Sequence, residues 1–154
     1  MSLPKLTIAA LSGALFLAAP AFSQSSTPRA NAMLTDFQSA WSTQDTDGIL
    51  AFFADEFLFE DVPLGLTASN KDEMRAILDY TFTSVPNFKM DIFDVYEGVG
   101  FVTTKWTQSG NATVAEMGLK DHPYEVTTTS IITLSEDGLI TSVSDNWNLA
   151  VVLQ

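Results

Sequence analysis

Cysteine is absent from the chain, and histidine occurs once, as His122. Without cysteine there can be no disulfide, no thiol nucleophile and none of the sulfur ligands of structural zinc sites. A single imidazole cannot build a histidine-rich metal centre. A serine triad would depend on His122, and no Gly-x-Ser-x-Gly turn exists to present its nucleophile. "DTDG" at 45–48 is a fragment of a calcium loop rather than a full ligand set, so no metal is expected. Basic residues are scarce as well: Lys and Arg number 7 against 19 Asp and Glu, for a formal charge of −12. Such a chain repels phosphates and offers no basic patch, which argues against nucleic acids and anionic membrane surfaces as partners.

Long hydrophobic runs are missing too, except at the start. "MSLPKLTIAALSGALFLAAPAFSQ" carries Lys5, an apolar stretch from Leu6 to Ala19, then Pro20 and small residues. This is the layout of a secretory signal (residues 1–23), with cleavage after Ser23 expected and after Ala21 as the alternative. The apolar run is short for a membrane span, and no membrane association is expected once it is removed. Localisation is therefore read as exported, periplasmic or extracellular. Losing Lys5 makes the remaining chain still more acidic, which favours solubility. Residues 24–31 read as a flexible polar lead-in, and 32–154 as a single domain large enough for a real hydrophobic core.

Within that domain the apolar spacing changes once. From Ala32 to Thr43, the residues Met33, Leu34, Phe37, Ala40 and Trp41 recur at helical spacing. "TQDTDG" interrupts, and Asp45 or Thr46 can cap a second short helix carrying Ile49, Leu50, Phe52 and Phe53. "FLFED" reads as a short strand that buries Phe57, Leu58 and Phe59. Asn70 with Glu73 resembles a capping box opening a helix with the stripe Met74, Ile77, Leu78, Thr81 and Phe82, and Tyr80 off the stripe. After Pro86 the period becomes two. Phe88, Met90 and Ile92 alternate with polar residues, and the phase slips near Phe93, predicting a bulge. Val102, Thr104, Trp106 and Gln108 share one strand face; Val126, Thr128, Ser130, Ile132 and Leu134 share another. "SEDG" signals a hairpin, and a last strand places Val143, Asp145, Trp147 and Leu149 together. "SGNATVAEMG", with its Asn111-Ala112-Thr113 sequon, reads as a loop, as does His122 in "KDHPYEV". Helices followed by a run of strands indicate an α+β fold, a curved antiparallel sheet wrapped around N-terminal helices.

Carboxylates on apolar strand faces are the chemistry that remains. Asp145 stands between Val143 and Trp147 on its own face. Asp61 stands where an apolar strand meets the turn begun by Val62-Pro63. A carboxylate in such surroundings must be hydrogen-bonded, face a cavity, or shift toward its neutral form, and a raised pKa suits a general acid or base near neutral pH. Both residues also have a structural reading: Asp61 as a cap of its turn, Asp145 as a partner of a hydroxyl such as Ser130 or Thr128. Glu60 points away from Asp61 in a regular strand, so the two are not a catalytic pair. Trp41, Trp106 and Trp147 fit either a core or a pocket wall.

"DTDGILAFFADEFLFEDVPLGL", "FVTTKWTQSG" and "SIITLSEDGLITSVSDNWNLA", in this order, resemble the SnoaL-like branch of the nuclear-transport-factor-two-like superfamily. The resemblance runs from about Leu34 to Leu149. It implies a cone: a strongly curved sheet around a deep pocket closed by helices, often in dimers. Asp61 falls where ketosteroid isomerases have a proton-shuttling aspartate. The positions of that family's acidic tyrosine and aspartate donors hold Phe37 and Ser130, which argues against steroid isomerisation as that family performs it. Asp145 matches an aspartate at the pocket wall of SnoaL-like cyclases and epoxide hydrolases, but the arginine of the latter corresponds to Thr127 or Thr128. The resemblance thus implies a small, largely apolar or aromatic ligand and cofactor-free isomerisation, cyclisation, dehydration or hydration. Asp145 would be the acid or base, assisted by Asp61. Gln108, Thr128 and Ser130 would orient the ligand, and Phe37, Trp41, Trp106 and Trp147 would form the walls. The alternative is a non-catalytic carrier of a small hydrophobic ligand.

Overall fold

A computed structural model describes residues 28–154; the expected signal segment lies outside them. The chain runs α1 (Pro28–Thr43), α2 (Thr46–Leu50), β1 (Phe53–Asp61), β2 (Leu66–Ala68), α3 (Lys71–Ser84), β3 (Lys89–Gly98), β4 (Phe101–Val114), a single 3-10 turn (Ala115–Met117), β5 (Leu119–Leu134), β6 (Ile140–Trp147) and α4 (Leu149–Val152). Six strands form one sheet in the order β2-β1-β6-β5-β4-β3. It is curved and unclosed, with the helices packed in its concave side. All neighbours are antiparallel except β1 and β6, which run parallel. That pairing brings the N-terminal half of the chain against its last strand, and no local pattern announces it.

The helix ends follow from their polar residues. α1 begins at Pro28, inside the segment read as lead-in, and proline is favoured in a first turn because its missing N–H is needed nowhere. It stops at "TQDTDG". Gln44 turns left-handed at φ 59, and the Asp45 and Gln44 amides close back on the Ala40 and Trp41 carbonyls. Asp45 then caps α2 through the Gly48 amide at 3.0 Å. α2 is shorter than expected, and Phe53 belongs to β1 rather than to the helix. Asn70 caps α3 by accepting from the Glu73 amide at 2.9 Å. The return half of the box is displaced by one residue, for the Glu73 carboxylate accepts from the amide and hydroxyl of Ser69.

Alternation along the strands sorts core from surface. Phe53, Phe57 and Phe59 of β1 are buried, but Leu58, which the sequence suggested was buried with them, is 46% exposed because its side chain leaves the opposite face. The bulge near Phe93 is present, as a register shift between Ile92 and Asp94. β3 is one edge of the sheet, and α1 covers it. Gln38 Oε1 accepts from the Ile92 amide at 2.8 Å, and Ser42 Oγ bonds both the carbonyl and the amide of Met90 at 3.1 Å.

Three loop and strand-end assignments change. Asn111 lies in β4, opposite Pro123, and its side chain bonds Asn87 and Asp121 instead of extending into a loop. His122 lies in β5, opposite Ala112. β6 joins β5 only from Thr128 onward, so the earlier part of β5 has one open side, where Pro123 removes no ladder bond. Leu149 does not continue β6: Asn148 caps α4 by accepting from the Ala150 amide at 3.1 Å, and the chain turns away.

Candidate active site

Register builds the site. Asp61 of β1 is paired with Asp145 of β6, Asp145 with Ser130 of β5, and Ser130 with Thr104 of β4. Paired residues on neighbouring strands project to the same face, so this row crosses the concave side of the sheet and ends in two adjacent carboxylates. The next row, Trp147, Thr128, Trp106 and Ile92, runs beside it.

Asp145 is buried, only 8% exposed. Ser130 Oγ donates to its Oδ1 at 2.5 Å and accepts in turn from Trp106 Nε1 at 2.7 Å. Burial pushes the Asp145 carboxyl up to about 7; the Ser130 bond opposes this and the negative charge of Asp61 adds to it. Asp61 is more open. It accepts from the Leu64 amide at 3.1 Å and, through both carboxylate oxygens, from Trp147 Nε1 at 3.2 Å. Its pKa is also raised, by burial, against the lowering effect of those two bonds. The turn that supplies the Leu64 amide closes through the Gly65 N–H on the Val62 carbonyl, with Gly65 left-handed at φ 65. Asp61 therefore caps its turn and faces the cavity at once, and Asp145 both binds a hydroxyl and faces the cavity.

The two acids open onto an inner basin of about 40 Å³, walled by Trp41, Phe59, Phe88, Trp106, Gln108 and Trp147 together with Leu64, Leu66, Ile77 and Thr81. An outer basin of about 100 Å³ shares Asp61, Leu64, Thr81, Gln108 and Trp147 and continues to Tyr80, Tyr124, Met117 and Val152. Burial pushes the Tyr124 hydroxyl up to about 12.

Of the residues expected at the site, Asp61, Asp145, Trp41, Trp106, Gln108 and Trp147 meet at this cavity. Three expected to touch a ligand do not line it. Ser130 and Thr128 stand behind it: Ser130 is taken up by Asp145 and Trp106, and the fully buried Thr128 accepts from Gln108 Nε2 at 3.2 Å. Their side chains are too short to pass the larger groups they hold. Phe37 belongs to the layer below, against Trp41, Phe52 and Phe53, and borders a void of about 10 Å³ that also reaches Ser130 and Asp145. Phe59, Phe88, Ile77 and Thr81 were read simply as strand or stripe residues. Phe59 shares the parity of Asp61, which is a signal of a kind; nothing local marks the two α3 residues as wall. Among the described residues no group of three or more His, Asp or Glu side chains is assembled to hold a metal, and no helix is long and apolar enough to cross a membrane.

The chain matches the family model of the SnoaL-like domain over residues 34–143. No curated protein sequence matches it. Several solved structures share its fold. A Catenulispora acidiphila protein of ketosteroid isomerase-like fold, in complex with trimethylamine, superposes with a TM-score of 0.71 at 20% identity, covering 82% of this chain and 91% of its own. A candidate polyketide cyclase from Xanthomonas campestris gives 0.70 at 21%, covering 80% and 96%. An LEH-like epoxide hydrolase from M. tuberculosis gives 0.61 at 16%, covering 77% and 82%. At these identities the likeness is one of fold. With most of its length matched by the family model, the chain belongs to the SnoaL-like domain family, on the nuclear-transport-factor-two-like fold.

Proposed function

We propose that this domain carries out cofactor-free proton transfer on a small, largely apolar molecule, as an isomerase, cyclase or dehydratase does. The observation that carries the reading is the placement of Asp61 and Asp145 at matched positions on neighbouring strands, opening onto one aromatic cavity. Two carboxylates so close resist ionising together. One holds a proton while the other accepts one, and the site can exchange a proton with a bound ligand without a metal. Asp145, pushed up to about 7, exists in both forms near neutral pH and is the principal acid or base. Asp61, fixed by Leu64 and Trp147, assists it. The two basins together are comparable to a cavity of about 150 Å³ that takes up benzene, which suits a single ring or short chain and not a steroid.

The test begins with small-molecule mass spectrometry of the purified native protein to identify its ligand. Asp145→Asn is expected to lower turnover of that compound by about 10²–10⁴-fold and to leave its affinity within a few-fold. Unchanged turnover would remove the catalytic role. Export belongs to the same proposal, on the strength of the "MSLPKLTIAALSGALFLAAPAFSQ" segment; a mature protein whose intact mass still includes Met1 would remove that part.

A carrier is the second reading. Carboxylates amid Trp41, Phe59, Phe88, Trp106 and Trp147 also suit a small alkylammonium ion, through charge and ring faces, and trimethylamine is bound by the Catenulispora acidiphila protein of like fold. A ligand that copurifies and is released unchanged on incubation would favour this reading over catalysis.

A further inference from the structure

The three indole N–H groups of the chain are treated differently. Trp106 Nε1 donates to Ser130 Oγ and Trp147 Nε1 to Asp61. Trp41 Nε1 is buried and has no hydrogen-bond partner. Trp41 is 7% exposed, and the rings around it, Phe37, Phe82 and Phe88, with centroids 6.1, 5.9 and 5.7 Å away, offer at best weak π contacts. A buried N–H left without an acceptor is rare. This one belongs to a ring that borders the inner basin, together with Asp61, Asp145 and Gln108, and also the void of about 10 Å³ beneath it. Gln38 and Ser42, on either side of it in α1, are bonded to the β3 backbone and fix the helix position against the sheet.

We propose that Trp41 Nε1 is the donor for an acceptor atom of the bound molecule, so that the site selects a small uncharged oxygen compound, such as a ketone, aldehyde, ester or ether, over the matching hydrocarbon. The inference rests on the reading of the basin as a small-molecule site. An anionic acceptor is disfavoured because Asp61 and Asp145 face the same space. An organic cation supplies no acceptor. A site with a preset donor discriminates sharply, since a ligand lacking the acceptor leaves that donor unpaired.

Two probes of one shape test it: cyclohexanone, and methylenecyclohexane with carbon in place of the oxygen. In ¹H–¹⁵N spectra of the folded protein the indole signals of Trp41, Trp106 and Trp147 are assigned by single Trp→Phe replacements. Cyclohexanone is expected to move the Trp41 signal, and methylenecyclohexane to leave it in place. Trp41→Phe is expected to weaken cyclohexanone binding about tenfold and to change hydrocarbon binding by about twofold or less. Because Trp41→Phe also removes core volume, benzothienylalanine at position 41, which keeps the ring and replaces N–H by sulfur, should give the same contrast. Equal affinity for both probes, no response to either, or uptake of trimethylammonium with none of cyclohexanone would overturn the proposal. These outcomes are separate from the Asp145→Asn experiment. Proton transfer can stand with the Trp41 donor disproved, and the binding contrast can stand with catalysis disproved.

Discussion

The Asp61 carboxylate accepts from the Leu64 amide within its own turn and from the Trp147 indole across the sheet, while Asp145 takes the Ser130 hydroxyl. These bonds favour the charged forms, whereas burial favours the neutral ones, and for both acids burial is the larger effect. The balance can be tested one contact at a time by carboxyl ¹³C NMR titration. Asp145 should titrate with a midpoint near 7. Asp61→Asn should lower that midpoint, because a neighbouring negative charge is removed. Ser130→Ala should raise it, because a bond to the charged form is lost. Movement of either variant in the opposite direction would show that the pair is organised otherwise. The candidate acids were legible as single residues, each a carboxylate on an apolar strand face. Their adjacency was implied only by the family resemblance and not by spacing, because Asp61 and Asp145 are separated by most of the domain and meet through the parallel β1–β6 pairing.

At the scale of elements, the helices declare their own starts. Asn70 sets the beginning of α3, and α3 in turn supplies Ile77 and Thr81 to the cavity wall. Asn70→Ala should therefore cost about 1 kcal/mol of stability, the usual value of a lost N-cap, as read from the midpoint of urea unfolding with the slope unchanged. Asn70→Asp, which can still accept from the Glu73 amide, should restore most of it. A loss of less than a few tenths of a kcal/mol would mean that the exposed first turn is already held by Ser69 and Glu73. The strand faces of β4, β5 and β6 were legible from period two alone. Asn111 and His122 were not, for polar residues and a proline read locally as loop; the open side of β5 accommodates Pro123 beside His122, and past the end of β3 the Asn111 amide of β4 is taken up by Asn87 Oδ1. β2 escaped the sequence because three residues are too few to show a period, and α4 because Leu149 happens to continue the alternation of β6.

For the whole molecule, the buried acids couple folding to pH. Asp145 has an ordinary carboxyl pKa, near 3.8, when unfolded and about 7 when folded. The folded state therefore holds the proton more tightly. Its contribution to stability is full below about pH 4 and is lost as pH rises through about 7, and Asp61, also raised, acts in the same sense. Between about pH 5 and pH 8 the wild type should lose stability on the order of 2–4 kcal/mol relative to Asp145→Asn, measured by urea unfolding at both pH values. Parallel curves for the two proteins would mean that Asp145 is relieved of its burial cost by some other group. The sequence by itself determined the α+β class, the inward face of each long strand, the helix caps and the presence of acids among apolar neighbours. All of these follow from spacing and side-chain chemistry within about ten residues. Only the tertiary structure decided which of those residues meet: that two distant aspartates form a pair, that Ser130 and Thr128 stand behind the cavity rather than in it, and that Trp41 Nε1 is left without a partner. Contacts of that kind depend on strand order and register, which long-range packing fixes and local pattern does not.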